Sequence, residues 1–74
     1  MYASTLRRFR ENRQRIEEEG DWIKQSDLSD ITEVTIKTLR SLRRNGEIYA
    51  ETVKQNDVWV SIDSIRAYCD RSNG

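Results

Sequence analysis

The sequence predicts a mainly helical α+β fold carrying one β-hairpin, on three observations. Apolar residues recur at helical spacing as far as Gly46, the period switches to two from Ile48 onward, and the chain has no proline, so its three glycines punctuate it. With 74 residues there is room for one small domain, and a chain of this size buries only about 60–65% of its unfolded surface, so the core is thin. The expected division is an N-terminal polar and basic helix over residues 1–20, a compact domain over 21–71 and a frayed tail at 72–74.

The first helix spans residues 3–19 and closes at Gly20, with Tyr2, Leu6, Phe9 and Ile16 near one stripe. Tyr2, Phe9 and Ile16 stand seven residues apart, but Asn12, Arg13 and Glu19 deny the second seam position that a coiled coil needs. The stripe therefore either docks on the rest of the domain or self-associates weakly. Asp21 to Lys24 is a short extended segment anchored by Trp22 and Ile23. Ser26 or Asp27 caps a short helix from Leu28 to Ile31, and Thr32-Glu33-Val34 forms a tight turn.

Thr35 is an N-cap for the next helix, residues 36–45, which ends at Gly46 in the position that favours a left-handed glycine. At 100° per residue Ile36, Leu39 and Leu42 fall within an arc of about 120°. Lys37, Ser41 and Arg44 centre on the opposite side, flanked by Arg40 and Thr38. Ile48, Ala50 and Thr52 then alternate with Tyr49, Glu51 and Val53. After a polar tip of Lys54-Gln55-Asn56-Asp57, Val58, Val60 and Ile62 alternate with Trp59 and Ser61, the pattern of a hairpin. Asp63 or Ser61 caps a closing helix that turns Ile65, Tyr68 and Cys69 inward, with Cys69 as a small core residue.

Composition narrows the function. Only 35% of residues are hydrophobic and 35% are charged, histidine is absent, and Cys69 is the single cysteine. These counts exclude an internal disulfide and supply neither a cysteine–histidine metal framework nor the commonest general base. Isolated acids such as Asp63 and Asp70 read as cap and surface groups, so no enzyme, no cofactor, no metal and no small-molecule ligand is expected. No apolar run reaches the roughly 18 residues that span a bilayer, and no signal-peptide pattern opens the chain; a cytoplasmic, nucleoid-associated protein without a membrane partner is expected.

The net charge of zero hides strong segregation. Residues 1–16 hold five arginines against Glu11, residues 17–33 hold seven acids against Lys24, and residues 34–46 hold Lys37, Arg40, Arg43 and Arg44 with no acid. A phosphate-facing surface needs local rather than global positive charge, and the third segment provides it. Acids at a helix C-terminus oppose its dipole, so the run Glu17 to Glu19 is expected to meet a basic partner, either Arg43 or a neighbouring subunit.

The order short helix, tight turn, basic helix, hairpin, closing helix is the layout of a small winged helix-turn-helix domain, here with an added N-terminal helix. The segment from Leu28 to Ile48 resembles the helix-turn-helix core of MerR-type regulators and phage excisionases. Val34-Thr35, Thr38-Leu39-Arg40 and Gly46-Glu47-Ile48 fill the places of that pattern. The run Val58 to Tyr68 resembles the excisionase-type ending, in which the wing strand leads directly into a closing helix, and phage terminase small subunits carry a similar winged domain. The likeness covers residues 22–71, with Glu33 where the family often has glycine and Lys54 as the lone base of the wing tip.

The resemblance implies binding to double-stranded DNA, as an excisionase-like architectural factor or a transcription regulator. Lys37, Ser41 and Arg44 are the candidates for base-edge contacts, and Thr35 and Thr38 suit phosphates at a helix N-terminus. Arg40 matches the arginine that in the family clamps the DNA backbone, and Lys54, Gln55 and Asn56 are the wing-tip candidates. Arg43, nearer the buried edge, is placed to bridge to an acid of the preceding segment. A lone winged helix covers few base pairs, so cooperative neighbours or weak self-association through the N-terminal helix would raise affinity. The alternative function is a winged-helix protein-interaction module of a phage or plasmid accessory factor that binds a host protein.

Overall fold

The computed structural model describes residues 3–55 and 57–71, apart from the side chains of Ala3 and Arg71. In chain order the elements are helices α1 (Ala3–Glu11) and α2 (Arg13–Glu17), strand β1 (Trp22–Lys24), helices α3 (Gln25–Thr32) and α4 (Ile36–Arg44), strands β2 (Ala50–Lys54) and β3 (Asp57–Ser61), and helix α5 (Ile62–Arg71). Helices packed with an antiparallel sheet make the α+β class that the periodicity predicts. Tyr2, Asn56 and the tail 72–74 lie outside the described residues.

The N-terminal segment is two helices rather than one. The Asn12 side-chain amide donates to the Arg8 carbonyl at 2.8 Å, offering the backbone an alternative partner at the junction. The apolar stripe survives the break: Phe9 and Ile16 are fully buried in the same core as the later elements, with Leu6 packed against it. Phe9 meets Tyr68 of α5 edge-on at 5.7 Å between ring centroids, and Arg10 donates to the Cys69 carbonyl at 2.9 Å. Of the two outcomes open to this stripe, docking is the one found.

The hairpin belongs to a three-stranded antiparallel sheet of order β1-β3-β2. Trp22 pairs with Ser61, Ile23 with Val60 and Lys24 with Trp59, while Ala50 pairs with Val60, Glu51 with Trp59 and Thr52 with Val58. The inward residues Ile23 and Val60 are fully buried and their alternates are not, as period two requires. The expected first strand is shorter than predicted: Ile48 is buried in the core, and the strand begins at Ala50. The four-residue tip also shrinks, because Lys54 pairs with Asp57 past an irregularity at Thr52–Lys54.

Helix α3 starts at Gln25, earlier than a Ser26 or Asp27 cap would allow. The extended residue is Lys24, which makes no side-chain cap bond; as the last residue of β1 it must stay extended, so the helix follows at once and buries Leu28. Asp27 sits instead in the first turn, where it complements the helix dipole. The other end turns through Glu33 at φ 60, a left-handed conformation. Two hydroxyls hold this turn: Ser29 donates to the Val34 carbonyl at 2.6 Å, and Thr32 accepts from the Val34 amide at 3.3 Å.

Helix α4 forms as its sequence specifies. The Thr38 amide donates to the Thr35 hydroxyl at 3.2 Å, and Leu39 and Leu42 are fully buried. At the far end Gly46 adopts φ 77. Its amide reaches the Arg43 carbonyl and the Glu47 amide the Leu42 carbonyl, the paired bonds of a Schellman motif. Ser61, not Asp63, caps α5: the Ser64 amide donates to the Ser61 hydroxyl at 3.3 Å, and Asp63 pairs with Arg66 at 2.6 Å. Ile65, Tyr68 and Cys69 point inward as predicted, joined by Ile62.

Candidate functional site

Helix α4 divides its residues sharply. Leu39 and Leu42 close against the core, Lys37, Arg40 and Arg44 are exposed, and Thr38, Ser41 and Arg43 are half-buried. Ser41, at the centre of the predicted outward arc, is therefore less open than the bases on either side of it. The Schellman turn at Gly46 ends the helix just beyond Arg44, which keeps this side chain in the last turn where a cation complements the dipole.

The bases of this chain divide into those held by carboxylates and those, Arg7, Arg15 and the outward bases of α4 among them, that are exposed and in no ion pair among the described residues. Among the described residues, Arg8, Arg13, Lys24 and Arg66 all form ion pairs with carboxylates. Lys37, Arg40 and Arg44 are in none of the ion pairs that the described residues make. Three cations on one exposed helix face, without an internal counter-charge, leave a local positive field available to an external anion.

The Glu17–Glu19 run finds its base elsewhere than expected. Glu17 accepts from Arg13 at 2.8 Å and from Arg66 of α5 at 3.4 Å, and these two guanidiniums hold its carboxyl below the usual range, the Arg13 bond first. Arg43 is in none of the ion pairs among the described residues, and Glu17 is held instead by Arg13 and by Arg66 of α5. The basic segment 34–46 thus keeps its charge.

The threonines at the start of α4 have distinct roles. Thr35 both accepts from the Thr38 amide and donates to the Thr38 hydroxyl, at 3.0 Å. These bonds make Thr35 the N-cap of α4, and its side chain stays exposed at the helix N-terminus. The hydroxyl proton of Thr38, whose oxygen accepts from Thr35, is left to donate outward.

On the hairpin, Lys54 and Gln55 are exposed, and Asn56 lies outside the described residues. Asp57, which weakens the tip as an anion-binding element, is partly balanced by Lys24 at 3.7 Å. Sequence reasoning missed Arg8. From α1 it donates to the Thr32 carbonyl at 3.4 Å and stands 3.8 Å from Glu33, bringing the N-terminal basic segment to the turn before α4. Nothing local in the sequence signals a contact between residues 24 positions apart.

No group of three metal-ligating side chains occurs among the described residues, and no helix among them is long and apolar enough to cross a membrane. Cys69 is buried, and burial pushes its thiol above the ordinary range, which disfavours the reactive thiolate. Comparison with protein-family models, with curated proteins and with solved structures yields no match to this chain.

Proposed function

We propose that this chain is a small double-stranded-DNA-binding protein of the winged helix-turn-helix type, in which α4 enters the major groove and the β2–β3 hairpin contacts the backbone or minor groove. The observation that carries this reading is the exposed, ion-pair-free set Lys37, Arg40 and Arg44 on a helix capped at both ends. The helix pair α3–α4 with its three-residue turn, followed by a hairpin and a closing helix, supports it. So does the resemblance to MerR-type and excisionase sequences over residues 28–48. Lys37 and Arg44 read base edges, Arg40 and Thr38 bind phosphate, Ser41 sits at the groove floor, and Lys54 with Gln55 and Asn56 forms the wing contact. The biological role is that of an excisionase-like architectural factor or a transcription regulator.

Fluorescence anisotropy with a mixed-sequence duplex across a salt series tests this. Three to five phosphate contacts predict an affinity loss of roughly 40- to 500-fold between 50 and 200 mM salt. The variant Lys37→Ala/Arg40→Ala/Arg44→Ala should stay folded, since all three side chains are exposed, and should lose binding. Absence of binding by the wild type at low salt would reject the reading and favour the protein-interaction module.

A further inference from the structure

We propose that the outer face of the sheet carries an arginine-binding site, a depression that takes the guanidinium of a partner protein's side chain against two indoles and a carboxylate. Trp22 and Lys24 of β1 alternate with the buried Ile23, and Trp59 of β3 alternates with the buried Val60, so these side chains project away from the core. Glu51 of β2 pairs with Trp59 and lies on the same face. Trp22, Glu51, Val53 and Trp59 line an open depression of about 410 Å³, toward the lower end of the roughly 300–1,000 Å³ of ligand sites. Trp22 is 38% exposed and Val53 65%. Contiguous apolar surface left open in so polar a chain marks a contact site.

The charges around the depression decide what it takes. Lys24 is held by Asp57 at 3.7 Å, so these two charges offset each other locally. The Lys24 ammonium also stands 5.9 Å from the Trp59 ring centroid, an internal instance of the attraction between a cation and an indole face. Glu51 is exposed and is in none of the ion pairs among the described residues. The lining therefore carries the uncompensated charge of Glu51 beside two π systems, and both attract a cation. An anion would be repelled by both. An uncharged apolar group would strip water from the carboxylate and give nothing back.

Among cations a guanidinium fits this lining best. It is planar, stacks on aromatic faces, donates two parallel hydrogen bonds to a carboxylate and is more weakly hydrated than an ammonium. The methylene stem of the same side chain covers Val53. Tyr49 braces both an indole and the carboxylate before any partner arrives. Its ring packs against Trp22 at 6.3 Å between centroids, tilted by 55°, and its hydroxyl donates to Glu51 Oε2 at 2.7 Å. That bond leaves Oε1 and the remaining lone pairs of the carboxylate to the incoming fork. Walls held in place this way lose little freedom on binding. The site needs the area of a single side chain, so an isolated arginine binds weakly and a partner protein adds contacts around it. None of its residues belongs to the DNA reading, and it stands apart from that reading.

Nuclear magnetic resonance titration of the isotopically labelled full chain with the blocked tripeptide acetyl-Gly-Arg-Gly-amide tests this. The chain has two tryptophans, Trp22 and Trp59, so both indole N–H signals report on the site. Both should shift and saturate with a Kd of about 1–10 mM. The same tripeptide with citrulline, the uncharged isostere of arginine, should bind at least about fivefold more weakly, and so should the lysine tripeptide. Glu51→Gln, at an exposed position, should keep the thermal unfolding of the wild type and weaken arginine binding by about fivefold. Free arginine should bind no tighter than the tripeptide. Indole signals that do not saturate by about 50 mM overturn the proposal. So do equal responses to arginine and citrulline or to arginine and lysine, and unchanged binding by Glu51→Gln. Tighter binding of free arginine would make this an amino-acid site, and tighter binding of a proline-rich peptide lacking arginine would make it an apolar groove; either result overturns the proposal as well.

Discussion

Arg8 of α1 sits 3.8 Å from Glu33, the one non-glycine residue with positive φ among the described residues. The same guanidinium donates to the carbonyl of Thr32 at 3.4 Å, so one side chain spans the end of α3 and the turn into α4. The turn is thereby fixed by groups from both sides: Ser29 and Thr32 within it, and Arg8 from a helix far away in sequence.

Glu33 occupies a backbone conformation that costs an L-residue roughly 1–2 kcal/mol, and its ion pair with Arg8 is too exposed to offset this. Glu33→Gly should therefore leave stability unchanged or raise it by up to about 1 kcal/mol, the relief being reduced by the extra freedom of glycine in the unfolded chain. Glu33→Val, with a branched Cβ, should lower stability by about 1–2 kcal/mol. Urea midpoints measured at constant slope would check the order glycine, glutamate, valine, and valine ranking above glycine would contradict the turn geometry.

Phe9 is fully buried and packs edge-on against Tyr68. Phe9→Ala should destabilise the protein by about 3–5 kcal/mol, a large share of the stability that so small a domain has. Far-UV circular dichroism should show a melting transition lowered by more than about 10 °C, or no transition at all. Removal of residues 1–20 should have the same effect, because α1 and α2 contribute Phe9 and Ile16 to the shared core. A truncated chain that melts like the parent would show that the remaining elements are self-sufficient.

Glu17 links α2 to α5 through Arg66 and to its own helix through Arg13. Its carboxyl titrates below the ordinary value of 4.5, so the folded state binds its proton less readily than the unfolded state does. The stabilisation is therefore complete above the unfolded value and is lost as the pH falls through the depressed folded one. The difference in urea midpoint between the wild type and Glu17→Gln should be present at pH 7 and shrink as the pH falls below the ordinary carboxyl value and through the depressed folded one. A difference that stays constant across that range would mean that the pairing does not depend on the carboxylate charge.

Much of the fold was legible because its signals are local. The Thr35 cap, the Gly46 stop and the switch from helical to alternating periodicity each reside in a few adjacent residues, and each is found where the sequence puts it. The third strand was legible only as an extended stretch, since pairing Trp22–Lys24 with Trp59–Ser61 is a long-range event with no local mark. The break at Asn12 escaped because the flanking periodicity is unaffected by it. For the candidate site, the exposed bases Lys37, Arg40 and Arg44 could be read from the helical wheel, but their freedom from ion pairs could not. That property depends on where the acids of other segments come to lie, as Glu17 does beside Arg13 and Arg66, and such placements are long-range events with no local mark.

The proposed DNA contacts separate into two kinds that substitution can tell apart. A phosphate contact contributes equally on every sequence and appears in the salt slope, whereas a base-edge contact contributes to discrimination. Arg40→Ala should weaken binding to specific and random duplexes by the same factor and reduce the slope of log affinity against log salt by about 1. Arg44→Ala and Lys37→Ala should each lose about 1–3 kcal/mol on a selected site and far less on random DNA, narrowing the ratio between the two. Thr35→Ala removes the cap of α4, so it should cost about 1 kcal/mol of folding stability and leave the salt slope unchanged. Anisotropy titrations on a selected and a scrambled duplex at several salt concentrations give the binding results, and urea unfolding of Thr35→Ala gives its loss of stability. Identical effects of Arg40→Ala and Arg44→Ala on both duplexes would mean that α4 lies along the backbone rather than in the groove.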